Sequence, residues 1–494
     1  LFRLELVEYM IKNKEKVYRL IDTAQKDELN NLEKMIQKDF WRQKYHIMPK
    51  TGLLNDPNGL SYFNGKYHVF FQWFPFDSFH GMKHWAHYTS KDLVSWEEDK
   101  RILIPDQWYE THGAYSGSAF VKNDKLYLMY TGNVRDQNRE RKSYQCLAFL
   151  EDEKIEKYDK NPVVPMQPDG YISEFRDPKI FEKNNKYYFI IGAQRINKTG
   201  AALIYESENL YDWDFIGEIK TKNEDFGYMW ECPDYFELNN KGILLLCPQG
   251  IVADNSKYNN IYQSGYFIGN PLDMISLDFE HGEFLELDRG FDFYAPQTLD
   301  DGKRRILIGW MGLPEISSPT DKNHWAHCLT IPRELSISNG KLIQKPVAEL
   351  ELLRKAKDIF ISDLKNEKIS LNMSGISYEL IAEFSNFDSN FGLELRCGNN
   401  EKTIIFYDFH DKKIILDRSN SGENFALEYG TQRKVSLTSN KIKFHIFMDN
   451  SSLEIFVNDG EEVFTSRIFP SENSKGINVF STGNVKVNIT KWNI

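Results

Sequence analysis

Five hairpins of one kind, recurring at intervals of roughly sixty residues, constrain the first two thirds of this 494-residue chain more than any other feature. They run from Gly59 to Phe71 around Asn64-Gly65-Lys66, from Ser118 to Tyr130 around Asn123-Asp124-Lys125, and from Lys179 to Ile191 around Asn184-Asn185-Lys186. The fourth spans Tyr235 to Leu246 around Asn239-Asn240-Lys241-Gly242, and the fifth Thr298 to Trp310 around Asp301-Gly302-Lys303. Successive turns begin 59, 61, 55 and 62 residues apart. Asn, Asp and Gly supply the left-handed backbone that tight hairpins need, and the flanking aromatic and β-branched runs read as strands. A β-rich unit that cannot bury both faces alone but repeats at fixed period predicts a propeller, here of five blades.

The repeat also predicts where chemistry gathers. Asp56 lies eight residues before its turn, Asp177 seven and Glu231 eight, nearly the same place in three blades. If that place opens an inner strand, radial symmetry brings three carboxylates to one mouth of the central channel. Asp56 and Asp177 each precede a proline, in Asn55-Asp56-Pro57-Asn58-Gly59 and Arg176-Asp177-Pro178, which holds the acid's backbone out of the right-handed helical region. Glu231 stands in Trp230-Glu231-Cys232-Pro233-Asp234. Burial between an apolar residue and a thiol would favour its protonated form and suit it to general-acid work.

The rest of the chain reads differently. Residues 1–40 carry Glu-, Lys- and Gln-rich sequence with Leu20, Ile21, Leu29, Leu32 and Ile36 at helical spacing, predicting a short helical extension, and translation is expected to start at Met10. The propeller is expected over 41–340 and a connector over 341–359, helical from Val347 to Leu353. A β-sandwich over 360–494 follows from short alternating strands such as Tyr378 to Phe384, Thr403 to Tyr407, Lys413 to Leu416, Ile442 to Met448, Leu453 to Val457 and Ile477 to Phe480. The fold class is thus all-β, propeller followed by sandwich.

Composition narrows the partners. With 61 Lys plus Arg against 72 Asp plus Glu the net charge is −11, which repels nucleic acid and anionic membranes, so neither is expected. A small molecule is. The five cysteines are scattered without metal or disulfide spacing. The charged opening Leu1 to Tyr9 is too broken for the apolar core of a secretion signal and no apolar run is long enough to span a bilayer, so a cytoplasmic location is expected. His84-Trp85-Ala86-His87 and His324-Trp325-Ala326-His327 place paired histidines on opposite faces of a strand, so no metal and no cofactor is expected.

Taken in order, Leu54-Asn55-Asp56-Pro57-Asn58-Gly59, Arg176-Asp177-Pro178 and Glu231-Cys232 resemble the signature of glycoside hydrolase family 32, which holds invertases, levanases and sucrose-6-phosphate hydrolases. The likeness extends through Phe70-Phe71-Gln72-Trp73, Trp85 to Ser90, Tyr115-Ser116-Gly117-Ser118, Gly309-Trp310-Met311 and Leu329 to Leu335, and on to Phe447 to Gly460. The resemblance implies that Asp56 is the nucleophile, Glu231 the general acid/base and Asp177 a stabiliser of the transition state. It implies a fructose subsite of Asn55, Gln72, Tyr115, Ser116 and Arg176, with Trp310 as an apolar wall. The activity implied is retaining β-fructofuranosidase, on sucrose 6-phosphate or sucrose, with a fructosyltransferase, a fructan hydrolase or a non-catalytic sugar-binding propeller as alternatives.

Phe79-His80-Gly81-Met82-Lys83-His84-Trp85 resembles the sucrose-6-phosphate hydrolase form of this loop, where many secreted relatives carry Trp in place of His80. A phosphate would need cations, and His80 and Lys83, with Arg135, Arg141 and Lys142, are the candidates.

Overall fold

The computed structural model describes residues 14–223 and 225–494; the expected start at Met10 lies outside them. Five antiparallel sheets form the propeller. Their inner strands are Gly52–Phe63, Ala114–Lys122, Tyr171–Lys183, Met229–Leu238 and Tyr294–Asp300, each packed against the next and the fifth against the first. The ring is latched by Trp325–Ala326, a segment of the fifth repeat that pairs parallel with Gly52–Phe63 of the first.

Four hairpin turns owe their shape to their asparagines. Asn64 and Gly65, Asn123 and Asp124, Asn184 and Asn185, and Asn239 and Asn240 all have positive φ, the paired left-handed geometry that matches the twist of two-residue hairpins. The fifth turn is built otherwise, with Asp301 Oδ1 accepting from the backbone N–H of Lys303 and Arg304.

Lys341–Pro346 is the outer strand of the fifth blade and Lys357–Lys365 opens the sandwich. The connector is therefore shorter than the expected 341–359, and its helical part is a 3-10 segment, Ala348–Leu353. The sandwich has two six-stranded sheets. Its edge strand Glu462–Arg467 is buried along its whole length, because the propeller covers it. Arg333 of the fifth blade donates to Glu454 Oε2 at 2.5 Å, Thr465 Oγ1 at 2.7 Å and Asp288 Oδ2 at 3.1 Å, while Phe447, Phe456 and Val463 join the same apolar core as Leu54 and Trp310. With apolar area and buried ion pairs both shared, the two domains form a single packed unit.

The N-terminal extension comprises a helical turn, Lys14–Val17, a 3-10 turn, Ile21–Thr23, and a helix, Glu28–Ile36. It does more than cover surface. Val17 O accepts from Met82 N at 2.8 Å and His84 Nε2 accepts from Ile21 N at 3.1 Å, so this segment braces the loop carrying His80 and Lys83. Among the described residues no helix is long and apolar enough to cross a membrane.

Candidate active site

Every inner strand bulges near its entry to the channel: at Leu54/Pro57, Tyr115/Gly117, Glu231/Asp234 and Tyr294/Gln297, and in the third blade between Arg176 and Lys179. A bulge adds one residue and re-aims its neighbours. In blades three to five the pattern is the same. Arg176, Glu231 and Tyr294 hold one rung of the ladder; Asp177, Cys232 and Ala295 follow at φ 69°, 49° and 45°, each succeeded by a proline. Glu231 is therefore not in the place of Asp177, as turn spacing had indicated, but one rung earlier, and Cys232 occupies the acid's slot.

This one-residue offset creates two polar rings. In the outer one, Glu231 Oε1 accepts from Arg176 Nε at 3.0 Å and Nη2 at 2.7 Å, and its Oε2 accepts from Gln249 Nε2 and the Tyr294 hydroxyl, both at 2.6 Å. The surroundings of Glu231 are these polar groups, not the Trp230 and Cys232 beside it in sequence; Trp230 turns away into apolar packing between blades three and four.

In the inner ring, Asp56 Oδ2 accepts from Ser116 Oγ at 2.6 Å and Gln72 Nε2 at 3.3 Å, and Oδ1 from Asn55 Nδ2 at 3.1 Å. Asp177 Oδ2 accepts from Cys232 N at 3.0 Å. The Cys232 thiol bridges the two acids, 3.7 Å from Asp177 Oδ2 and 4.0 Å from Asp56 Oδ2. Burial pushes the Asp177 carboxyl up to about 7, Arg176 opposing and Glu231 and Asp56 adding to the rise. Burial raises Asp56 too, against the Ser116 hydrogen bond and with help from Glu231. Carboxylates crowded in low dielectric penalise one another's ionisation.

Below these rings the channel is closed by a third polar layer. Lys179 Nζ donates to Thr298 O at 2.5 Å and faces Asp234 at 3.3 Å, while Asp234 Oδ2 accepts from Thr298 N at 2.8 Å. A cavity of about 400 Å³ lies beyond, at the far mouth.

The remaining sequence candidates distribute as follows. Trp310 is buried, with Tyr294 and His80 edge-on at ring-centroid distances of 6.2 and 6.0 Å. Tyr115 is half-buried, with the Arg141 guanidinium 5.5 Å over its ring. Lys83 is only 4% exposed and its Nζ has no hydrogen-bond partner among the described residues. Burial lowers this amine to about 7 although Asp56 pulls it up, and burial with Lys83 and His327 nearby drives His80 well down. Lys83 is thus buried, whereas His80 is half-buried against the Trp310 ring. Lys142 is exposed. The paired histidines do not converge: His84 Nδ1 meets Met82 O, His87 Nε2 meets His68 Nδ1, His324 meets Asp77 and His327 meets Leu54 O.

Four participants escaped sequence reasoning: Gln249, Tyr294, Cys232 and Glu174, the last bound to Arg176 Nη1. A signal for two existed. Aligning the repeats on Asp177-Pro178, Cys232-Pro233 and Ala295-Pro296, rather than on the turns, puts Arg176, Glu231 and Tyr294 in one column.

Comparison with known proteins places the chain in a family. The model of the glycosyl hydrolases family 32 N-terminal domain matches residues 46–346, and that of the family 32 C-terminal domain matches 349–493. Sucrose-6-phosphate hydrolase of Staphylococcus xylosus is 44% identical over 486 residues, covering 97% of this chain and 98% of that one; the Bacillus subtilis enzyme is 43% identical, covering 95% and 97%. Among solved structures, the sucrose-6-phosphate hydrolase of Lactobacillus gasseri superposes with a TM-score of 0.91 at 35% identity, over 97% of this chain and 99% of that one. A β-fructofuranosidase of Bombyx mori in complex with sucrose gives 0.84 at 33%, over 96% and 98%. Matched across both domains and almost end to end, the chain belongs to glycosyl hydrolase family 32.

Proposed function

We propose that the protein is a retaining β-fructofuranosidase that hydrolyses sucrose 6-phosphate to fructose and glucose 6-phosphate. The observation that carries this reading is the offset pair of rings, which fixes one acid among donors and keeps another beside it for attack. Glu231, steered by Arg176, Gln249 and Tyr294, donates its proton to the glucosyl oxygen as the C2–O bond breaks. Asp56, aligned by Ser116, Gln72 and Asn55, attacks C2 of the fructosyl unit and forms a covalent ester. Water, giving a proton to Glu231, then cleaves that ester and restores both groups. Asp177 holds ring hydroxyls and faces the positive charge that grows on the ring. Asn55, Gln72, Tyr115, Ser116, Arg176 and Trp310 enclose the fructose.

The choice of the phosphorylated sugar is supported by the names of the curated relatives above and by the concentration of arginines at the rim of the second blade. A cytoplasmic setting accords with it, since five free cysteines, four of them buried, suit a reducing compartment. Purified protein assayed with sucrose and sucrose 6-phosphate side by side tests the reading: kcat/KM at least about tenfold higher for the phosphorylated sugar is expected, from one well-formed charged contact. Proton NMR of the first product should show β-fructofuranose before mutarotation. Equal rates on the two sugars would overturn the substrate, and initial release of the other anomer would overturn retention.

A further inference from the structure

The hairpin joining Lys125–Arg135 to Arg141–Leu150 in the second blade carries three arginines at its tip. Arg135 and Arg141 are direct cross-strand partners, and Arg135 Nη1 donates to Arg139 O at 3.2 Å. Like charges set opposite each other weaken a hairpin, and the local acids do not relieve them. Asp136 turns Oδ1 to the amides of Asn138 and Glu140, and Glu140 is exposed. Glu174 pairs with Arg141 Nη1 at 2.7 Å but is shared with Arg176. Arg141 Nε is sealed from solvent with no hydrogen-bond partner among the described residues. In a chain of net charge −11 this is a costly accumulation, of the kind a bound anion offsets.

Its position is equally informative. Arg141, Glu174, Arg176 and Glu231 form an unbroken chain of ion pairs from the rim to the acid that protonates the leaving oxygen. With Glu231 as the acid of the proposed reaction, the glucosyl unit leaves on that side. Tyr18 approaches from the N-terminal extension, its ring 4.5 Å from that of His112, whose Nδ1 accepts from Arg135 N at 3.1 Å. Lys83, by contrast, is buried, with its carbonyl held by Ala114 N of the second blade's inner strand and its amine sealed from solvent.

We propose that Arg135, Arg139 and Arg141, with the Tyr18 hydroxyl, form the subsite for the 6-phosphate of the glucosyl unit. This location rests on the substrate reading above. Guanidinium forks match phosphate oxygens in pairs, and the segment that carries Tyr18 is anchored to Met82 and His84 through Val17 O and Ile21 N, so the extension takes part in substrate selection.

The test is steady-state kinetics of wild type, Arg135→Gln/Arg139→Gln, Tyr18→Phe and Lys83→Gln on both sugars, with glucose 6-phosphate and glucose as competing inhibitors. Arg141 is left intact because it braces Glu174. The double variant should lower the ratio of kcat/KM for sucrose 6-phosphate over sucrose by about 10- to 100-fold, mainly through KM, since charge-assisted hydrogen bonds are worth that much. Its Ki for glucose 6-phosphate should rise in parallel, and Tyr18→Phe should act the same way more weakly. An unchanged ratio in the double variant overturns the subsite, as does loss of the preference in Lys83→Gln alone. A wild type without preference instead overturns the substrate reading and is recognised before any variant is made.

Discussion

Two nitrogens of Arg176 converge on a single oxygen of Glu231, Nε at 3.0 Å and Nη2 at 2.7 Å, and they do so because the two residues hold the same rung in adjacent blades. The third nitrogen, Nη1, binds Glu174. A lysine has a single nitrogen and cannot present the planar fork that grips Glu231 twice while holding Glu174 on its other side. Arg176→Lys should therefore leave the blades folded but lower kcat about 10²-fold by letting the acid drift from the leaving oxygen. Steady-state kinetics beside a thermal melt checks this; a melt as altered as the rate would mark Arg176 as a structural residue only.

Cys232 holds a left-handed slot, φ 49°, and its backbone N–H, not its thiol, makes the 3.0 Å bond to Asp177. The fifth blade shows which side chains the slot accepts, since Ala295 occupies it at φ 45°. Cys232→Ala should keep activity within roughly tenfold. Cys232→Val, branched at Cβ where positive φ is most strained, should cost about 1–3 kcal/mol and most of the activity. Equal behaviour of the two variants would refute the backbone argument.

Asp177 offers a pH test with a definite sign. Its native pKa is raised to about 7, chiefly by burial, while an unfolded aspartate titrates near 3.9. Between those values the unfolded chain sheds a proton that the native state retains, so this group makes wild type less stable as pH rises. Asp177→Asn removes the dependence. The variant should gain on wild type across pH 4 to 7, at most about 1.4 kcal/mol per pH unit, while losing about 10²- to 10³-fold in kcat. Melts in a pH series decide; a constant difference between the two proteins would reject the assignment.

The propeller was legible because its turns are chemically explicit: asparagine pairs at four of five corners report left-handed backbone directly. The three acids were legible through Asp-Pro and Glu-Cys-Pro. What turn counting could not provide was phase, since blade lengths vary by several residues and a single bulge shifts a side chain by one rung. Turn spacing sets Glu231 nearly level with Asp177 although the bulges place it one rung earlier, and it gives no sign of Tyr294 or Gln249. The sharing of Phe447, Phe456 and Val463 between domains, and the grip of Val17 on Met82, are long-range contacts with no local signature. Lys83 reads as a candidate phosphate-binding cation in sequence and is a buried amine in the fold.

That amine supplies the last prediction. Lys83 is held by the second blade through its backbone, its carbonyl accepting from Ala114 N at 2.9 Å, and Gly113 at φ 118° lets the chain pass where a Cβ would meet Lys83 N at 2.9 Å. The side chain is thereby fixed in the interior with no hydrogen-bond partner among the described residues. Burial lowers its pKa to about 7 against the pull of Asp56, from an unfolded value near 10.4. In that interval the unfolded chain binds the proton and the native state does not, so wild-type stability should climb as pH rises from 7 toward 10. Lys83→Met fills the space without an amine to desolvate. Its stability advantage over wild type should be largest at pH 7 and below and should shrink toward pH 10. Chemical denaturation at pH 6.5 and 9.5 measures both proteins. An advantage that grows with pH would show that Lys83 has a charged partner in solution.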